Sequence, residues 1–123
     1  MKFFSVNNLS AGYGKHNILS NLSFAIDDSA TIGILGANGS GKTTLLKAIC
    51  GILPHNGTCQ LEDVILETKT PRQLAKICSY IPQRSGISID ISVLDTVLMG
   101  FYPHLGFLEH PSAQMKKNAL EMI

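Results

Sequence analysis

The residues with the clearest chemical potential lie between Gly36 and Thr44, where the sequence reads GANGSGKTT. Their spacing fits the pattern G-x-x-x-x-G-K-[ST], in which the backbone N–H groups of a glycine-rich turn surround phosphate oxygens. We expect the glycines to bring successive N–H groups together as an anion-binding nest. A helix predicted to begin near Lys42 aims its free N–H groups and positive dipole end at the same place. We call Gly36–Thr44 the phosphate loop and predict that it binds the polyphosphate of a nucleotide.

Each polar side chain at the end of the phosphate loop has an expected role. Lys42 should contact the β- and γ-phosphates as a point charge, the Thr43 hydroxyl should bind Mg²⁺, and Thr44 can donate to a phosphate oxygen. The loop lies between an apolar strand predicted at Thr31–Leu35 and a helical pattern over Lys42–Cys50. A Gly/Ser-rich connection with a solvated lysine would leave the coincidence of spacing and flanks unexplained.

Length and composition limit the class of protein. A chain of 123 residues is one domain or part of one, and 45% hydrophobic with 15% charged residues indicates a globular protein. The net charge of +1 gives no electrostatic argument for binding nucleic acid, so no nucleic-acid partner is expected. The N-terminus lacks the apolar core of a signal peptide, and no run approaches the roughly 18 apolar residues of a membrane span. We therefore expect a cytosolic chain.

The cysteines and histidines give no recognised metal-binding pattern. Cys50, Cys59 and Cys78 form no C-x-x-C and have no histidine at a usual ligand spacing, so we expect small buried residues in a reducing compartment. The four histidines are scattered, and surface or turn positions are expected for all of them. They are His16, His55, His104 and His110.

Hydrophobic periodicity predicts an antiparallel β region ahead of the phosphate loop. Its strands are expected at 3–9, 17–19 and 22–26, with a turn at 11–14, and this region leads into a buried parallel strand at 31–35. Beyond the loop, we predict a helix ending at Gly51, a turn at Asn56-Gly57, a hairpin of 58–61 with 64–66, and a strand at 77–81. Further helices are predicted at 71–76 with Thr70 as N-cap, after Ser92 and after Ser112.

The order of these features resembles the ATP-binding subunit of an ABC transporter. The resemblance is carried by Tyr13, the loop sequence GANGSGKTTLL, the TPRQLA of Thr70–Ala75 and the YIPQ of Tyr80–Gln83. The segment 92–107, SVLDTVLMGFYPHLGF, is similar to that of importers of ferric siderophores, haem or vitamin B12. The resemblance covers essentially the whole chain but only the first half of the family's usual length.

The resemblance implies an α/β fold of the P-loop NTPase, ABC-ATPase type. Residues 1–90 would be the N-terminal part of the ATP-binding core, with an antiparallel β region and the first part of a parallel core sheet. Residues 91–123 would begin a helical subdomain. The implied cofactors are ATP and Mg²⁺. The implied partners are permease subunits in the membrane, a second ATP-binding subunit and, indirectly, a substrate-binding protein, with the chain peripheral on the inner face of the membrane.

Two further site residues follow from the resemblance. Local sequence favours an ordinary turn tyrosine at Tyr13, whereas the resemblance implies that its ring stacks on adenine. Gln83, otherwise a solvated loop residue, would lie at the γ-phosphate, ligate Mg²⁺ and position water. The nucleotide-binding set expected is Tyr13, Gly36, Ala37, Asn38, Gly39, Ser40, Gly41, Lys42, Thr43, Thr44 and Gln83, with Thr43 and Gln83 as metal ligands.

Hydrolysis of ATP also needs acidic residues that organise Mg²⁺ and polarise the attacking water. The family's apolar strand ending in Asp-Glu, its Leu-Ser-Gly-Gly-Gln signature and its later histidine are absent from this sequence. We therefore expect a fragment of an importer's ATPase with an incomplete catalytic set, in which the strand at Thr31–Leu35 keeps an unpaired apolar edge. The alternative is a truncated nucleotide-binding module without turnover. A small-molecule kinase is disfavoured, because such enzymes usually place the loop close to the N-terminus.

Overall fold

The computed structural model describes residues 2–84 and 89–123, which form two compact units that divide between Tyr80 and Ile81. The first unit contains a four-stranded antiparallel sheet in the order β2-β1-β3-β4. Its strands are β1 (Phe4–Tyr13), β2 (His16–Ile26), β3 (His55–Leu61) and β4 (Val64–Ile65); its helices are α1 (Lys42–Ile49), a 3₁₀ helix (Leu66–Thr68) and α2 (Pro71–Ile77). The division into 1–90 and 91–123 stays a prediction.

The antiparallel region predicted ahead of the phosphate loop is confirmed, but it consists of one long hairpin. β1 and β2 pair along their whole length, and Tyr13 pairs with His16 at the end. The predicted turn at 11–14 is therefore wrong for its first three residues, and the chain reverses at Gly14-Lys15. Gly12 allows β1 and β2 to pair closely at this point, because a Cβ there would lie 1.9 Å from the carbonyl oxygen of His16.

A bulge in β1 decides which side chains enter the core. Val6 and Leu9 are both fully buried although they are three residues apart, a spacing that would place them on opposite faces of a regular strand. The ladder shifts between them, and Asn8 takes a left-handed φ of 51°. On the neighbouring strand, Gly57 has φ 88°, and a Cβ there would lie 2.4 Å from the carbonyl oxygen of Asn8. Asn56-Gly57 is thus part of β3, and the predicted turn there is wrong.

The core of the first unit lies between the sheet and the helix that follows the phosphate loop. Leu45 and Ala48, one helical turn apart, form the buried face of α1, whereas Leu46 is 43% exposed. The buried cluster consists of Val6, Leu9, Ala11, Leu45, Ala48, Cys59 and Leu66. This packing holds α1 against the sheet and so fixes the direction in which the helix begins.

Two predicted strands are not strands in the structure. Thr31–Leu35 joins no ladder, and Leu35 is 96% exposed. Ile77 ends α2, and the residues up to Ile81 are irregular. Apolar runs form strands only when neighbouring segments supply hydrogen bonds, and no described segment pairs with either run. The sheet formed by the described residues therefore includes no parallel core strand. Because Thr31–Leu35 is not a strand, the prediction that it keeps an unpaired strand edge is wrong.

The helix starts predicted after Thr70, Ser92 and Ser112 are confirmed. They could be predicted because a helix start depends on hydrogen bonds between residues close in sequence. The Thr70 hydroxyl accepts from Gln73 N–H, and the Gln73 side chain accepts from Thr70 N–H, which makes a complete capping box for α2. Ser92 and Ser112 accept in the same way from Asp95 N–H and Met115 N–H. They begin the helices of the second unit, α3 (Val93–Leu98) and α4 (Ala113–Met122), with a 3₁₀ helix (Met99–His104) after α3.

Of the helices in the described residues, none is both long enough and apolar enough to cross a membrane.

Replacing Leu9 by alanine tests the core produced by the β1 bulge. Leu9→Ala should lower the free energy of unfolding by about 2–5 kcal/mol, because the side chain is fully buried and leaves a cavity. Urea denaturation of the 123-residue chain, followed by circular dichroism, measures the change. Leu46→Ala on the exposed face of α1 is the matched control and should cost less than about 1 kcal/mol. Equal losses in the two variants would contradict the placement of Leu9 in the core.

Candidate nucleotide-binding site

The phosphate loop is a tight turn built around two glycines with left-handed backbone. Ser40 N–H donates to the Ala37 carbonyl oxygen at 3.1 Å, which closes the turn. Gly39 has φ 81° and Gly41 has φ 102°, values that side chains disfavour strongly. Lys42 then begins α1, as predicted from the sequence. The loop therefore leads directly into the N-terminus of the helix.

Gly41 also brings the phosphate loop against the β1–β2 hairpin. A Cβ at Gly41 would lie 2.9 Å from Leu19 Cδ2 and 3.1 Å from Ile18 Cγ2. Both leucine and isoleucine belong to β2, close to His16, the partner of Tyr13. The hairpin whose end carries Tyr13 is thus the support of the loop. Tyr13 itself is the last residue of β1 and is 48% exposed.

The start of α1 differs from that of the other α-helices in the described parts of the chain. α2, α3 and α4 begin with a threonine or serine whose hydroxyl accepts from a first-turn N–H. The N-cap residue of α1 is Gly41, which has no side chain to cap the helix. The first turn of a helix carries N–H groups without intrahelical acceptors and a partial positive charge. At α1 no N-cap side chain accepts from these donors.

The side chain of Lys42 adds a full positive charge to the loop. Its Nζ donates to the carbonyl oxygen of Gly36 and, at 2.8 Å, to that of Ala37, with the Ser40 hydroxyl at 3.5 Å. The ammonium group is thus held across the turn by loop oxygens.

The remaining predicted residues differ in their exposure and placement. Asn38 and Thr43 are exposed, whereas Thr44 is only 5% exposed, on the side of α1 that faces the core. Gln83 is exposed and belongs to the second unit. In the structure, the phosphate loop Gly36–Thr44 packs through Gly41 against the β1–β2 hairpin, whose end carries Tyr13. The roles of Tyr13, Thr43, Thr44 and Gln83 toward a nucleotide stay predictions.

A cluster of polar side chains near the other end of α1 was not predicted from the sequence. His55 was expected at the surface or in a turn, but it begins β3, and its side chain is only 8% exposed. Its Nε2 lies 2.7 Å from Glu67 Oε1, and the same oxygen accepts from Cys59 N–H at 2.8 Å. His55 and Cys59 are four residues apart, a spacing that places two side chains on one face of a strand. That spacing was the available signal.

The electrostatics of this cluster keep the carboxyl ionised and the thiol protonated. Partial burial opposes ionisation of Glu67, but the hydrogen bonds from His55 and from backbone N–H groups outweigh it and lower the pKa of the carboxyl. Burial, followed by the charge of Glu67, raises the pKa of the Cys59 thiol to about 12. Burial also raises the pKa of Cys50 and of Cys78. The three free thiols are therefore weak nucleophiles near neutral pH. Cys59 is fully buried as predicted, but the prediction is wrong for Cys50 and Cys78, which are only half-buried.

Comparison with known proteins decides the family. The model of the ABC transporter family matches residues 19–122. The chain belongs to the ABC transporter family. A Bordetella pertussis relative named hemin import ATP-binding protein HmuV is 40% identical over 115 residues, which are 93% of this chain and 44% of the relative. A Halalkalibacterium halodurans relative named manganese transport system ATP-binding protein MntB is 38% identical, over 91% of this chain and 44% of the relative.

Further relatives of the ABC transporter chain point in the same direction. A Helicobacter pylori protein named for iron chelatin transport is 40% identical over 96% of this chain and 47% of its own length. The structure of an inward-facing ABC transporter described as metal-chelate type aligns with a TM-score of 0.70 and 27% identity, over 98% of this chain and 44% of that one. The resemblance to this family and its fold is thus confirmed, and the chain spans less than half the length of these relatives.

Alanine substitutions at Gly39 and Gly41 distinguish the stability cost of a left-handed backbone from the cost of close packing against β2. Gly41→Ala should cost about 1–2 kcal/mol of stability for its left-handed backbone, with an added cost of about 1–3 kcal/mol for the contact with Leu19 and Ile18. Gly39→Ala should show the conformational cost alone, since no atom lies within 4 Å of its Cβ position. Urea denaturation of each variant measures these losses.

Gly33→Ala is the control for both substitutions. Gly33 does not have a left-handed backbone, and a Cβ there meets no atom within 4 Å. Its stability should therefore stay within about 0.5 kcal/mol of the parent chain. If Gly41→Ala were no more costly than Gly39→Ala, the close packing of the phosphate loop on β2 would be wrong.

Proposed function

We propose that this chain forms the ATP-cradling part of the ATP-binding subunit of an ABC importer, at the inner face of the cell membrane. In this proposal Gly36–Thr44 surround the phosphates, Tyr13 stacks on adenine, and Thr43 and Gln83 contact Mg²⁺. The complete subunit hydrolyses ATP as one of a pair bound to permease subunits, and a substrate-binding protein delivers the cargo. Family membership and the relatives' names support this assignment.

One structural observation carries the nucleotide-binding part of the proposal. The N-cap residue of α1 is a left-handed glycine without a capping side chain, and the ammonium of Lys42 is bonded to carbonyl oxygens of the phosphate loop. The first turn of α1 and the Lys42 ammonium thus lie together, and no acidic side chain of the described residues pairs with Lys42. A polyphosphate satisfies both, as it does at other glycine-rich helix starts. Mg²⁺ would supply charge neutralisation at the phosphates, with the exposed Thr43 hydroxyl as a ligand from this chain.

For the cargo, we propose an iron siderophore, haem or a cobalamin-type chelate. Relatives from Bordetella and Helicobacter are named for hemin import and iron chelatin transport, and an aligned structure is described as metal-chelate type. A relative of similar identity is named for manganese transport. Manganese is therefore the competing cargo that an uptake experiment has to separate from the chelates.

Replacing Lys42 tests ATP binding directly. Lys42→Ala should weaken binding of MgATP by about tenfold to one hundredfold, because a hydrogen bond from a charged donor contributes about 1.5–3 kcal/mol. Isothermal titration calorimetry of the 123-residue chain measures the affinity. Lys47→Ala, in the last turn of the same helix, is the matched control and should bind like the parent chain. Equal affinities of the parent and Lys42→Ala would contradict the proposed phosphate cradle.

Phosphate release from ATP distinguishes binding from turnover in the same preparations. Binding without release is expected, because the sequence has no Asp-Glu pair at the end of an apolar strand. Release by the parent chain that Lys42→Ala abolishes would show that turnover does not need such a pair.

Uptake measurements test the cargo in the source organism. Disruption of the gene that encodes this chain should lower uptake of labelled ferric siderophore, haem or cobalamin, and leave uptake of labelled Mn²⁺ unchanged. Expression of the intact gene should restore uptake, whereas the same gene with Lys42→Ala should not, because import depends on ATP. Loss of Mn²⁺ uptake alone would refute the chelate assignment and leave the ATP-dependent import intact.

A further inference from the structure

The cluster of His55, Cys59 and Glu67 lies apart from the phosphate loop and has no part in the proposed ATP site. We propose that His55 Nε2, Cys59 Sγ and a carboxylate oxygen of Glu67 bind a divalent cation, with zinc the best match. The potential ligand atoms all lie within 4.8 Å of one another. No other group of His, Cys, Asp and Glu side chains at such distances occurs in the described residues.

The donor types favour zinc over the hard cations. One imidazole, one thiolate and one carboxylate give the mixed N, S and O set that zinc accepts in tetrahedral sites, with bonds of about 2.0–2.3 Å. Magnesium and calcium prefer oxygen donors throughout, so a cysteine ligand is unsuited to them. The cluster therefore selects against the cation that accompanies ATP.

The backbone that carries the three side chains is already ordered by hydrogen bonds. His55 and Cys59 both belong to β3, where they pair with Ala11 and Val6 of β1. Glu67 belongs to the 3₁₀ helix directly after β4, and β4 pairs with β3. Only side-chain adjustments are then needed to bring three donors from 4.8 Å to the separation found around one ion.

The hydrogen bonds around Glu67 show what the cation would replace. A single oxygen of Glu67 accepts from both the Cys59 N–H and the His55 ring, and the second contact is only 2.7 Å long. The cation would take the place of the hydrogen between Nε2 and Oε1. The neutral ring that binds the metal through Nε2 keeps one hydrogen, on Nδ1, and any further ring hydrogen passes to solvent. The Cys59 thiol gives its proton to solvent, so that one bond from sulfur to hydrogen is exchanged for one from sulfur to the metal.

A route for the ion and a fourth ligand lies beside the cluster. A cleft of about 270 Å³ is lined by His55 and Glu67 and also by Leu53, Pro54 and Lys69. The Glu67 side chain is 26% exposed, so the cation would enter from this side and keep a water as its fourth ligand. The alternative is a simple ion pair between His55 and Glu67 beside a cysteine that belongs only to the core, and binding of a metal through the thiolate would exclude it.

Cobalt substitution tests the site because it reports on the ligands directly. Addition of Co²⁺ to the reduced, metal-free 123-residue chain should give a cobalt–thiolate charge-transfer band at one ion per chain, and Zn²⁺ should displace it. Glu67→Gln keeps the size of the side chain and should weaken Co²⁺ and Zn²⁺ binding by at least about tenfold, as should His55→Ala. Cys59→Ser should abolish the band.

Matched variants outside the cluster give the result that would overturn the proposal. Cys50→Ser and His16→Ala should leave the band and the affinity unchanged, since neither residue belongs to the cluster. The absence of a thiolate band, or its loss in Cys50→Ser, would refute the site. Because Cys59 is fully buried, circular dichroism checks the fold of its variant, and the more exposed Glu67→Gln tests the site independently through the affinity for the metal.

Discussion

Gly41 lies against Ile18 and Leu19 of β2 in a backbone conformation that costs other residues about 1–2 kcal/mol. This contact joins the phosphate loop to the sheet at the point where α1 begins. A side chain at position 41 would push the loop from β2 or force the helix start to change direction. Three features therefore depend on the absence of a Cβ at Gly41. They are the uncapped first turn of α1, the position of Lys42 and the packing of the phosphate loop on the β1–β2 hairpin.

The sheet beneath the loop depends on a second close approach, between Gly57 of β3 and the backbone of Asn8. The bulge at Asn8 turns both Val6 and Leu9 into the core, where they meet the buried face of α1. Serine side chains accept from the displaced N–H groups: Ser23 from Asn8 and Ser10 from Asn21. The irregular ladder thus keeps its hydrogen bonds while it supplies the surface on which α1 rests.

Local chemistry explains which parts of the fold and the site could be predicted from the sequence. The caps at Thr70, Ser92 and Ser112 involve partners three residues away, and the phosphate loop is a continuous pattern, so both could be identified in advance. Asn56-Gly57 has the composition of a hairpin turn, yet its conformation is set by Asn8 on another strand. Thr31–Leu35 has the composition of a buried strand, but a strand also needs neighbours, and no described segment pairs with it.

The spacing of His55 and Cys59 was visible in the sequence, but the third member of the cluster was not, because the β3–β4 hairpin separates Glu67 from them in sequence and brings it close in space. The cluster is not independent of the phosphate loop. Ala48 and Ile49, at the C-terminal end of α1, line the cleft beside the cluster, while the N-terminal end carries Lys42. An eight-residue helix is only about 12 Å long. One short helix therefore borders both candidate sites, and the packing of Leu45 and Ala48 that holds it to the sheet maintains the geometry of each.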